Sequence, residues 1–405
     1  MRELIYLDNA ATTWPKPPEV HQFMGDFYRD FGVNPGRSGY DRALEAEEVV
    51  QRCRTALTQF FNGDDPNRLV FAYNATDALN LVLKGVLHQG GHAITTNLEH
   101  NSVLRPLWHL SQSGSVSTTH IPFDNRGFID PDDINKAIRP DTKLVIINHG
   151  SNVIGTIQPL EEIGKICKKR GVFFAIDASQ TAGVIPIDMK RMGLDAVCFT
   201  GHKSLFGPTG IGGICVAEGA EIVGTRWGGT GVRSAQRSHL EEYPYRLEAG
   251  TMNTMGVAGL LAGQQFIAAQ GGPEAIHERE MKLMSRLWSG LREMDDVVLY
   301  RADDLENHLP VLSMNIHNFE AGQTGTLLDV DHDVATRTGL HCAPLVHEQM
   351  GTAEIKGTVR FSAGIFNTEE QIDVAIEGIR DIVTSVKKWN ANSKSHAEVA
   401  AQYSR

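Results

Sequence analysis

Apolar positions along the chain follow two different periods. In residues 19–31 apolar side chains recur every three or four positions, including Val20, Phe23 and Phe27, which predicts an amphipathic helix. Farther along, short apolar runs such as KLVIINH and VFFAIDA predict strands, and segments with helical period such as LEEIGKICKKR lie between them. This order of strands and helices predicts an α/β protein whose large domain has a mostly parallel sheet flanked by helices.

The alternation of short strand and helix patterns changes after about residue 257, where long helical patterns are followed by the runs VLSMNIHN and TVRFSAG. We therefore expect a smaller C-terminal α/β domain. The predicted division has an N-terminal arm at 1–18 that packs with the small domain, the large domain at 19–257, the small domain at 258–388 and a polar, fraying tail at 389–405.

Composition and charge restrict the class of protein. The 405 residues carry a formal net charge of −11, and no run of Lys and Arg offsets it, which argues against nucleic acid as the main partner. The five cysteines are scattered without a CxxC pair, so we expect free thiols. We find neither a signal-peptide pattern at the N-terminus nor an apolar stretch long enough for a membrane span, and expect a cytoplasmic protein.

The stretch FTGHKSLFGPTGIGG, residues 199–213, holds a single lysine among glycines. It is not a phosphate-binding P-loop, because His202 separates Gly201 from Lys203, and its glycines lack dinucleotide-fingerprint spacing. A tight strand–turn–strand with an incidental lysine is one interpretation. The other is a desolvated amine with a lowered pKa, held for a covalent bond to an aldehyde.

An aldehyde cofactor with a pyridine ring would need further parts. A carboxylate that keeps the ring nitrogen protonated is offered by Asp177, at the end of the apolar run VFFAI, and Gln180 could donate to the ring oxygen. Capping of a helix is the alternative role for Asp177. His100 follows a predicted strand, and its imidazole could stack on the ring and move a proton; a solvated loop residue is the alternative.

A cofactor phosphate would need backbone N–H groups and hydroxyls. The run VFAYNATDALN passes from a strand into a helix, and a helix N-terminus attracts anions. Thr76 could bind the phosphate there or merely cap the helix, and Thr200 and His202 could complete the cradle.

Cys342 lies in HDVATRTGLHCAPLVHEQ, which allows two interpretations. One is a metal site built from His332, His341, Cys342 and His347, although this spacing fits no common zinc pattern. The other is a nucleophile, whose thiolate Arg337 and a protonated His341 would stabilise.

Taken together, these motifs identify a family resemblance. The pieces YLDNAATT, NPGRSGY, EHNSVLRP, SNVIGT, IDASQTAG, TGHKSLFGPTGIGG, EAGTMN and RTGLHCAP extend over nearly the whole chain. The chain resembles fold-type I pyridoxal-phosphate enzymes of the class V aminotransferase group, and most of all the cysteine desulfurases, in the group that includes selenocysteine lyases. A non-catalytic scaffold is the rival class, and the intact set of chemical residues argues against it.

The resemblance implies a role for each matching residue. Lys203 would bind pyridoxal 5'-phosphate covalently, with Asp177 and Gln180 at the ring and His100 stacked on it. Ala75 and Thr76, with Thr200 and His202, would hold the phosphate, and Thr251 would reach the phosphate of a neighbouring subunit in a homodimer. Asn152 and Arg360 would bind the substrate carboxylate, and Arg37 and Arg337 are further active-site residues.

In such an enzyme Cys342 would attack the sulfur of L-cysteine, leaving alanine and a persulfide that passes to a sulfur-acceptor protein. No metal is implied. This chain has Leu340 before His341, where many members of the group have a second histidine. That departure leaves selenocysteine lyase, or another lyase of the same scaffold, as the alternative function.

Overall fold

The structure, a computed structural model, describes residues 4–36 and 40–403, with side chains through Trp389. Arg37 therefore lies outside the described residues. The strands are β1 (Ile5–Tyr6), β2 (Leu69–Ala72), β3 (Gly91–Thr96), β4 (Val116–Ile121), β5 (Thr142–Asn148), β6 (Phe173–Asp177), β7 (Ala196–Thr200), β8 (Gly212–Val216), β9 (Val297–Leu299), β10 (Val311–Ile316), β11 (Val334–Ala335), β12 (Arg337–Gly339) and β13 (Thr358–Ser362).

Helices alternate with most of these strands. They are α1 (Pro18–Phe31), α2 (Asp41–Phe60), α3 (Ala75–Val86), α4 (Asn101–Ser111), α5 (Pro131–Ala137), α6 (Leu160–Arg170), α7 (Met189–Met192), α8 (Thr254–Ala269), α9 (Pro273–Arg292), α10 (Ala321–His332), α11 (Pro344–Met350) and α12 (Glu369–Tyr403), with a short 3₁₀ turn at Pro66–Arg68.

The main sheet has seven strands in the order β2-β8-β7-β6-β5-β3-β4. The neighbours from β7 to β4 pair in parallel, and β8 pairs antiparallel with both β7 and β2. Strands β5 and β6 are apolar and almost wholly buried, as expected for central parallel strands with helices on both faces. The predicted α/β fold with a mostly parallel sheet is confirmed.

The direction of β8 was not anticipated, and it has a simple cause. Residues 201–211 between β7 and β8 contain no helix. A parallel neighbour requires a crossover of a dozen or more residues, usually through a helix, whereas a short connection brings the chain back antiparallel. The segment around Lys203 is this return, so the lysine lies in a constrained loop at the edge where the parallel strands end.

A second, smaller sheet is antiparallel throughout, in the order β12-β13-β10-β9. Its core includes side chains of α9, α10 and α12. The N-terminal segment contacts this part of the chain, because β1 pairs in parallel with β11 and Asp8 bridges Ser362.

Two structural boundaries differ from those expected. Helix α8 crosses the division expected at residue 257, and its Leu260, Leu261 and Ile267 belong to the core under the main sheet. The helix is apolar on nearly all sides, so it is buried within a core rather than laid on one face. Helix α12 continues to Tyr403, past residue 388 where we expected the polar tail to begin.

We expect Gly183→Ala to lower the free energy of unfolding by about 2–4 kcal/mol. Gly183 has a φ of +106°, and a β-carbon there would overlap the backbone carbonyl of Ser204, next to Lys203 in the chain. Urea unfolding of both proteins measures the loss. Gly171→Ala is the matched control, since Gly171 also has a positive φ, +65°, but no heavy atom lies within 4 Å of the added carbon. Equal losses in the two variants would show that the overlap with Ser204 contributes nothing.

Candidate active site

The candidate site lies where the parallel strands end at their carboxyl termini. Asp177 ends β6, Thr200 ends β7, and His100 follows β3 by four residues. Ligands of open α/β sheets commonly bind at this edge, because the side chains that follow neighbouring strands converge there. The structure brings these three sequence-predicted residues together with Lys203.

Backbone hydrogen bonds close the Lys203 loop tightly. Gly207 N donates to Gly201 O (2.8 Å), and Gly201 N donates to Ile211 O (2.9 Å). The carbonyl of Lys203 accepts from Phe206 N (2.8 Å) and from the Thr13 hydroxyl (2.5 Å). The lysine therefore extends from a backbone fixed on both sides, and the interpretation of an incidental lysine in a turn loses its support.

The charge state of Lys203 is set mainly by its surroundings. Burial lowers the pKa of its amine to about 8, and the nearby charges act in both directions: Asp177 raises the pKa, whereas Arg360 and Arg337 lower it. Such an amine is neutral in a sizeable fraction of molecules near neutral pH, which is the state that attacks a carbonyl carbon.

Asp177 is 4% exposed and keeps one oxygen available. Both the backbone N–H and the hydroxyl of Ser179 donate to its Oδ1, so these bonds leave Oδ2 for another donor. Asp177 does not cap a helix, because a turn follows β6. Gln180 lies in this turn, and its Nε2 donates to Ala10 O (2.9 Å).

The sequence analysis predicts an anion site at the N-terminus of α3. Asn74, not Thr76, caps the helix, since its side chain accepts from Asp77 N (3.0 Å). Ala75 and Thr76 are thus the first helical residues, and the Thr76 hydroxyl lies 2.7 Å from the hydroxyl of Ser102. Free backbone N–H groups in a first helical turn, with a hydroxyl beside them, suit a phosphate.

Thr200 and His202, the other two residues predicted to bind the phosphate, lie at the end of β7 and just after it. Thr200 is buried, and its hydroxyl has no hydrogen-bond partner among the described residues. His202 Nδ1 lies 3.1 Å from the Thr12 hydroxyl. Burial, together with the smaller effects of the Lys203 and Lys16 charges, lowers the pKa of His202 to about 4, so this imidazole is neutral and offers only hydrogen bonds.

His100 has a defined tautomer because it caps α4. Its Nδ1 accepts from Ser102 N (3.1 Å), which leaves the proton of the neutral ring on Nε2. Burial lowers the pKa of His100, whereas Asp177 raises it and Lys203 lowers it. A neutral ring with one N–H can both stack and donate a hydrogen bond.

Arg360 forms the centre of a buried polar chain. It is 1% exposed; its Nη2 donates to Asp8 Oδ1 (2.6 Å) and its Nη1 donates to Asn152 O (2.9 Å). The side chain of Asn152 in turn donates to His341 O (2.7 Å). Arg360 and Asn152, the two residues expected at the substrate carboxylate, are therefore directly connected to the segment that carries Cys342.

Cys342 lies next to α4, the helix that His100 caps. Asn101 N donates to Cys342 O (2.7 Å), and Arg337 Nη2 lies 3.6 Å from Cys342 Sγ. His341 and Cys342 have φ angles of +48° and +59°, a conformation that non-glycine residues rarely adopt and one that is typical of functional loops.

His341 would help to stabilise a thiolate only if its ring were protonated, and its surroundings disfavour that form. Its Nε2 lies 3.0 Å from the Thr358 hydroxyl, and burial together with the charge of Arg360 holds its pKa well below the usual value. Desolvation favours the neutral ring, so of these two residues Arg337 is the one that brings a positive charge to the Cys342 sulfur.

The alternative of a metal site finds no geometric basis among the described residues. No group of three or more His, Cys, Asp or Glu side chains is arranged around one point within them. His332 lies near Asp381, 3.9 Å away, and His347 bonds Thr352.

Thr251 is exposed rather than grouped with Lys203. It lines a cavity of about 450 Å³ beside Tyr73, Gly210 and Asn253. Asn253 Nδ2 donates to Gly210 O (2.9 Å), which attaches this segment to the loop after Lys203.

The N-terminal segment contributes residues that the sequence analysis did not identify. Asp8 pairs with Arg360, the hydroxyl of Thr13 bonds Lys203 O, and the Lys16 ammonium donates to His202 O (2.5 Å). Burial lowers the pKa of Lys16 to about 8. The only local signal was the density of polar residues in YLDNAATTWPK, directly after two apolar positions.

Glu99 is another buried group that was not identified. Its Oε1 accepts from the Thr96 hydroxyl (2.7 Å) and from Asn148 N (3.1 Å), whereas Oε2 has no partner among the described residues. Burial raises the pKa of Glu99 to about 8.

Comparisons with known proteins agree with this geometry. The profile of the aminotransferase class-V family matches residues 5–374. A probable cysteine desulfurase of Methanothermobacter thermautotrophicus is 31% identical, over 94% of this chain and 95% of that protein. The cysteine desulfurase IscS of Pectobacterium carotovorum is 32% identical, over 94% and 93%.

A solved structure is also similar in backbone. The apo cysteine desulfurase of Thermococcus onnurineus superposes with a TM-score of 0.88 at 33% identity, and the match covers 94% of this chain and 95% of that one. No helix formed by the described residues is long and apolar enough to cross a lipid bilayer.

We expect Lys203 to react with a small aromatic aldehyde with a pH midpoint near 8, below the ordinary lysine value of 10.5, since only the neutral amine attacks. Borohydride reduction followed by peptide mapping measures the labelled fraction. In Asp177→Asn the midpoint should fall further, because the carboxylate that raises the lysine pKa is gone. A midpoint near 10.5 in the parent would contradict the effect of burial.

We expect Glu99→Gln to stabilise the protein more at pH 8 than at pH 5. The folded pKa of Glu99, about 8, lies above its ordinary value of 4.5, so folded molecules retain a proton that unfolded molecules release. The parent therefore loses stability as the pH rises through this window, and the amide does not. Urea unfolding at the two pH values measures the difference. Glu45→Gln, on an exposed position of α2, is the control, and an equal response in both variants would contradict the argument.

Proposed function

We propose that this chain, which belongs to the aminotransferase class-V family, is a pyridoxal-phosphate-dependent cysteine desulfurase. The observation that carries the proposal is a thiol and an amine in one site: Cys342 lies beside the Arg337 guanidinium, 3.6 Å away, and Lys203 is buried with a lowered pKa. Relatives named cysteine desulfurase, at 31% and 32% identity over most of the chain, support the same activity.

The residues present fit pyridoxal 5'-phosphate. The unpartnered, buried hydroxyl of Thr200 and the N-terminus of α3 at Ala75 and Thr76 suit its phosphate. Asp177 has Oδ2 available for the pyridine N–H, and Lys203 supplies the amine that binds the aldehyde. When bound, the cofactor withdraws electrons from the carbon that carries the amino group of the substrate.

The residues around the cofactor would orient L-cysteine and move its protons. The Arg360 guanidinium binds the α-carboxylate, and Asn152 supports both this arginine and the Cys342 segment. The Lys203 amine is suited to transfer a proton at the α-carbon, because its pKa of about 8 is close to neutral pH. His100 presents Nε2–H as a donor, and the next residue, Asn101, donates its backbone N–H to Cys342 O.

Cys342 would take the sulfur. Its thiolate attacks the γ-sulfur of L-cysteine, so a sulfur–sulfur bond forms while the carbon–sulfur bond breaks. The β-carbon gains a proton and leaves as the methyl group of L-alanine, and the sulfur remains as a persulfide on Cys342. The step needs no external oxidant, because the β-carbon is reduced by two electrons while the sulfur is oxidised by two to the persulfide level.

Delivery and assembly complete the proposal. Cys342 is only partly buried, and its neighbour Leu340 is 40% exposed, so a sulfur-acceptor protein can approach the persulfide.

Thr251, exposed beside Gly210, would serve the phosphate site of a second copy in a homodimer. We assign the enzyme to the cytoplasm, where free thiols such as the five cysteines of this chain are the rule.

We expect L-cysteine to add one sulfur atom to the peptide that contains Cys342, detected by mass spectrometry without a reducing agent. In Cys342→Ala, persulfide and sulfide release should both fall at least about a hundredfold, because no thiol remains to attack. Cys167→Ala, which removes a buried thiol whose pKa is raised by burial to about 12, is the matched control and should retain the persulfide.

Three outcomes are informative. If Cys342→Ala releases sulfide as fast as the parent, Cys342 is not the nucleophile and the proposed desulfurase mechanism is wrong. If this variant loses turnover of cysteine but retains that of selenocysteine, the thiol serves sulfur removal and the scaffold also supports lyase chemistry. If the parent binds cysteine and forms no persulfide, another reaction of the family is its activity.

A further inference from the structure

Two arginines lie opposite each other on the edge strand of the small sheet and its neighbour. Arg337 and Arg360 are register partners on the neighbouring antiparallel strands β12 and β13, so their side chains project from the same face. Like charges at such positions repel, and the Arg360 charge is almost wholly buried. A carboxylate is needed there, and in this structure Asp8 supplies it at 2.6 Å from Arg360 Nη2.

The bonding of Arg360 is incomplete in a specific way. Nη1 donates to Asn152 O and Nη2 to Asp8 Oδ1, whereas the buried Nε has no partner among the described residues. A carboxylate binds arginine best with two parallel N–H···O bonds. The Nε–Nη2 edge is thus half satisfied by Asp8, and it has the geometry that a substrate carboxylate would use in full.

We propose that Asp8 is a built-in competitor of the substrate for Arg360: it neutralises the guanidinium in the free enzyme, and the α-carboxylate of the substrate displaces it from the Nε–Nη2 edge. This inference rests on the proposed function, because it takes Arg360 as the carboxylate site. Asp8 is a positioning residue in this account, since it acts through Arg360 and not on the reacting atoms.

The surroundings of Asp8 allow the side chain to move while the backbone stays. Its carbonyl accepts from the Tyr6 hydroxyl (3.1 Å), and its backbone bridges Ser362. The carboxylate itself is 20% exposed, against 1% for Arg360, so it can turn toward solvent at little cost. One anion replaces another, and the buried guanidinium is never left without a counter-charge.

The exchange would make binding selective for carboxylates. An amine without a carboxylate cannot replace Asp8 at Arg360, so it gains nothing from this edge. When an amino acid binds, Arg360 gains two parallel bonds to its carboxylate and loses the single bond to Asp8. Since Asp8 returns as the product leaves, the same competition would also assist release of the alanine carboxylate.

The test is ligand binding to the holoenzyme, followed by the visible absorption of the bound cofactor rather than by turnover. In Asp8→Asn, the dissociation constant of L-alanine should fall at least about fivefold, because the competing charge is removed and a similar side chain remains. The dissociation constant of L-alaninol, which has the amine but no carboxylate, should not change.

Two control variants distinguish the effect of the Asp8 charge from the effect of weakening the contacts that hold the N-terminal segment. Asn9→Ser loses a hydrogen bond from Asn9 Nδ2 to Ser362 O (3.1 Å) but leaves the charge at Arg360, so alanine binding should not tighten. Asp8→Glu retains the charge and should not tighten it either. Tighter binding in either control would overturn the proposal.

Other outcomes are equally decisive. If Asp8→Asn binds alanine no better than the parent, or more weakly, Asp8 only anchors the segment and the inference fails while the proposed function stands. If the parent gives no spectral response to alanine, the carboxylate site and the inference both fail. Should Asp8→Asn not fold, a crystal structure of the parent with L-alanine decides: Asp8 turned away from Arg360 supports displacement, and an unchanged ion pair overturns it.

Discussion

The contacts of the N-terminal segment hold the candidate site together. Strand β1 pairs with β11, Asp8 pairs with Arg360, and Thr13 bonds the carbonyl of Lys203. One short stretch therefore connects the small sheet to the loop at the edge of the large sheet. The amine, the guanidinium and the thiol come from distant parts of the sequence, and their relative positions depend on this stretch.

Burial sets the protonation states within this assembly. The pKa values of His100, His202 and His341 are all lowered, with burial as the largest cause, so the imidazoles are neutral. Positive charge near the thiol comes from arginines, which stay protonated at any physiological pH. In the neutral range, the bases of the site that titrate are thus the lysines Lys203 and Lys16 rather than the histidines.

The sequence predicted the features that depend on local pattern. Apolar runs gave the parallel strands, and Asp177 and His100 were proposed because each follows a predicted strand and has a side chain that a pyridine-ring cofactor would need. The direction of β8 and the placement of α8 could not be obtained this way, since they depend on packing between elements. The helix α2 was not identified either.

Contacts between distant residues were beyond local inference. Nothing near Asp8 in the sequence indicates a partner at Arg360, and the pKa of His341 follows from burial that only the folded chain defines. Whether His341 carries a charge therefore could not be decided from the sequence, whereas the charge of Arg337 does not depend on its surroundings, and its guanidinium lies beside Cys342.

The pairing of β1 with β11 also bears on how the chain is made. Ile5 leaves the ribosome long before Val334, its partner on β11. The helices and strands of the large sheet can form from neighbouring segments as they emerge, but the first strand has to wait, unpaired, for most of synthesis. The catalytic geometry is therefore among the last features to form on the growing chain, and an incomplete polypeptide with a folded large domain would still lack a working site.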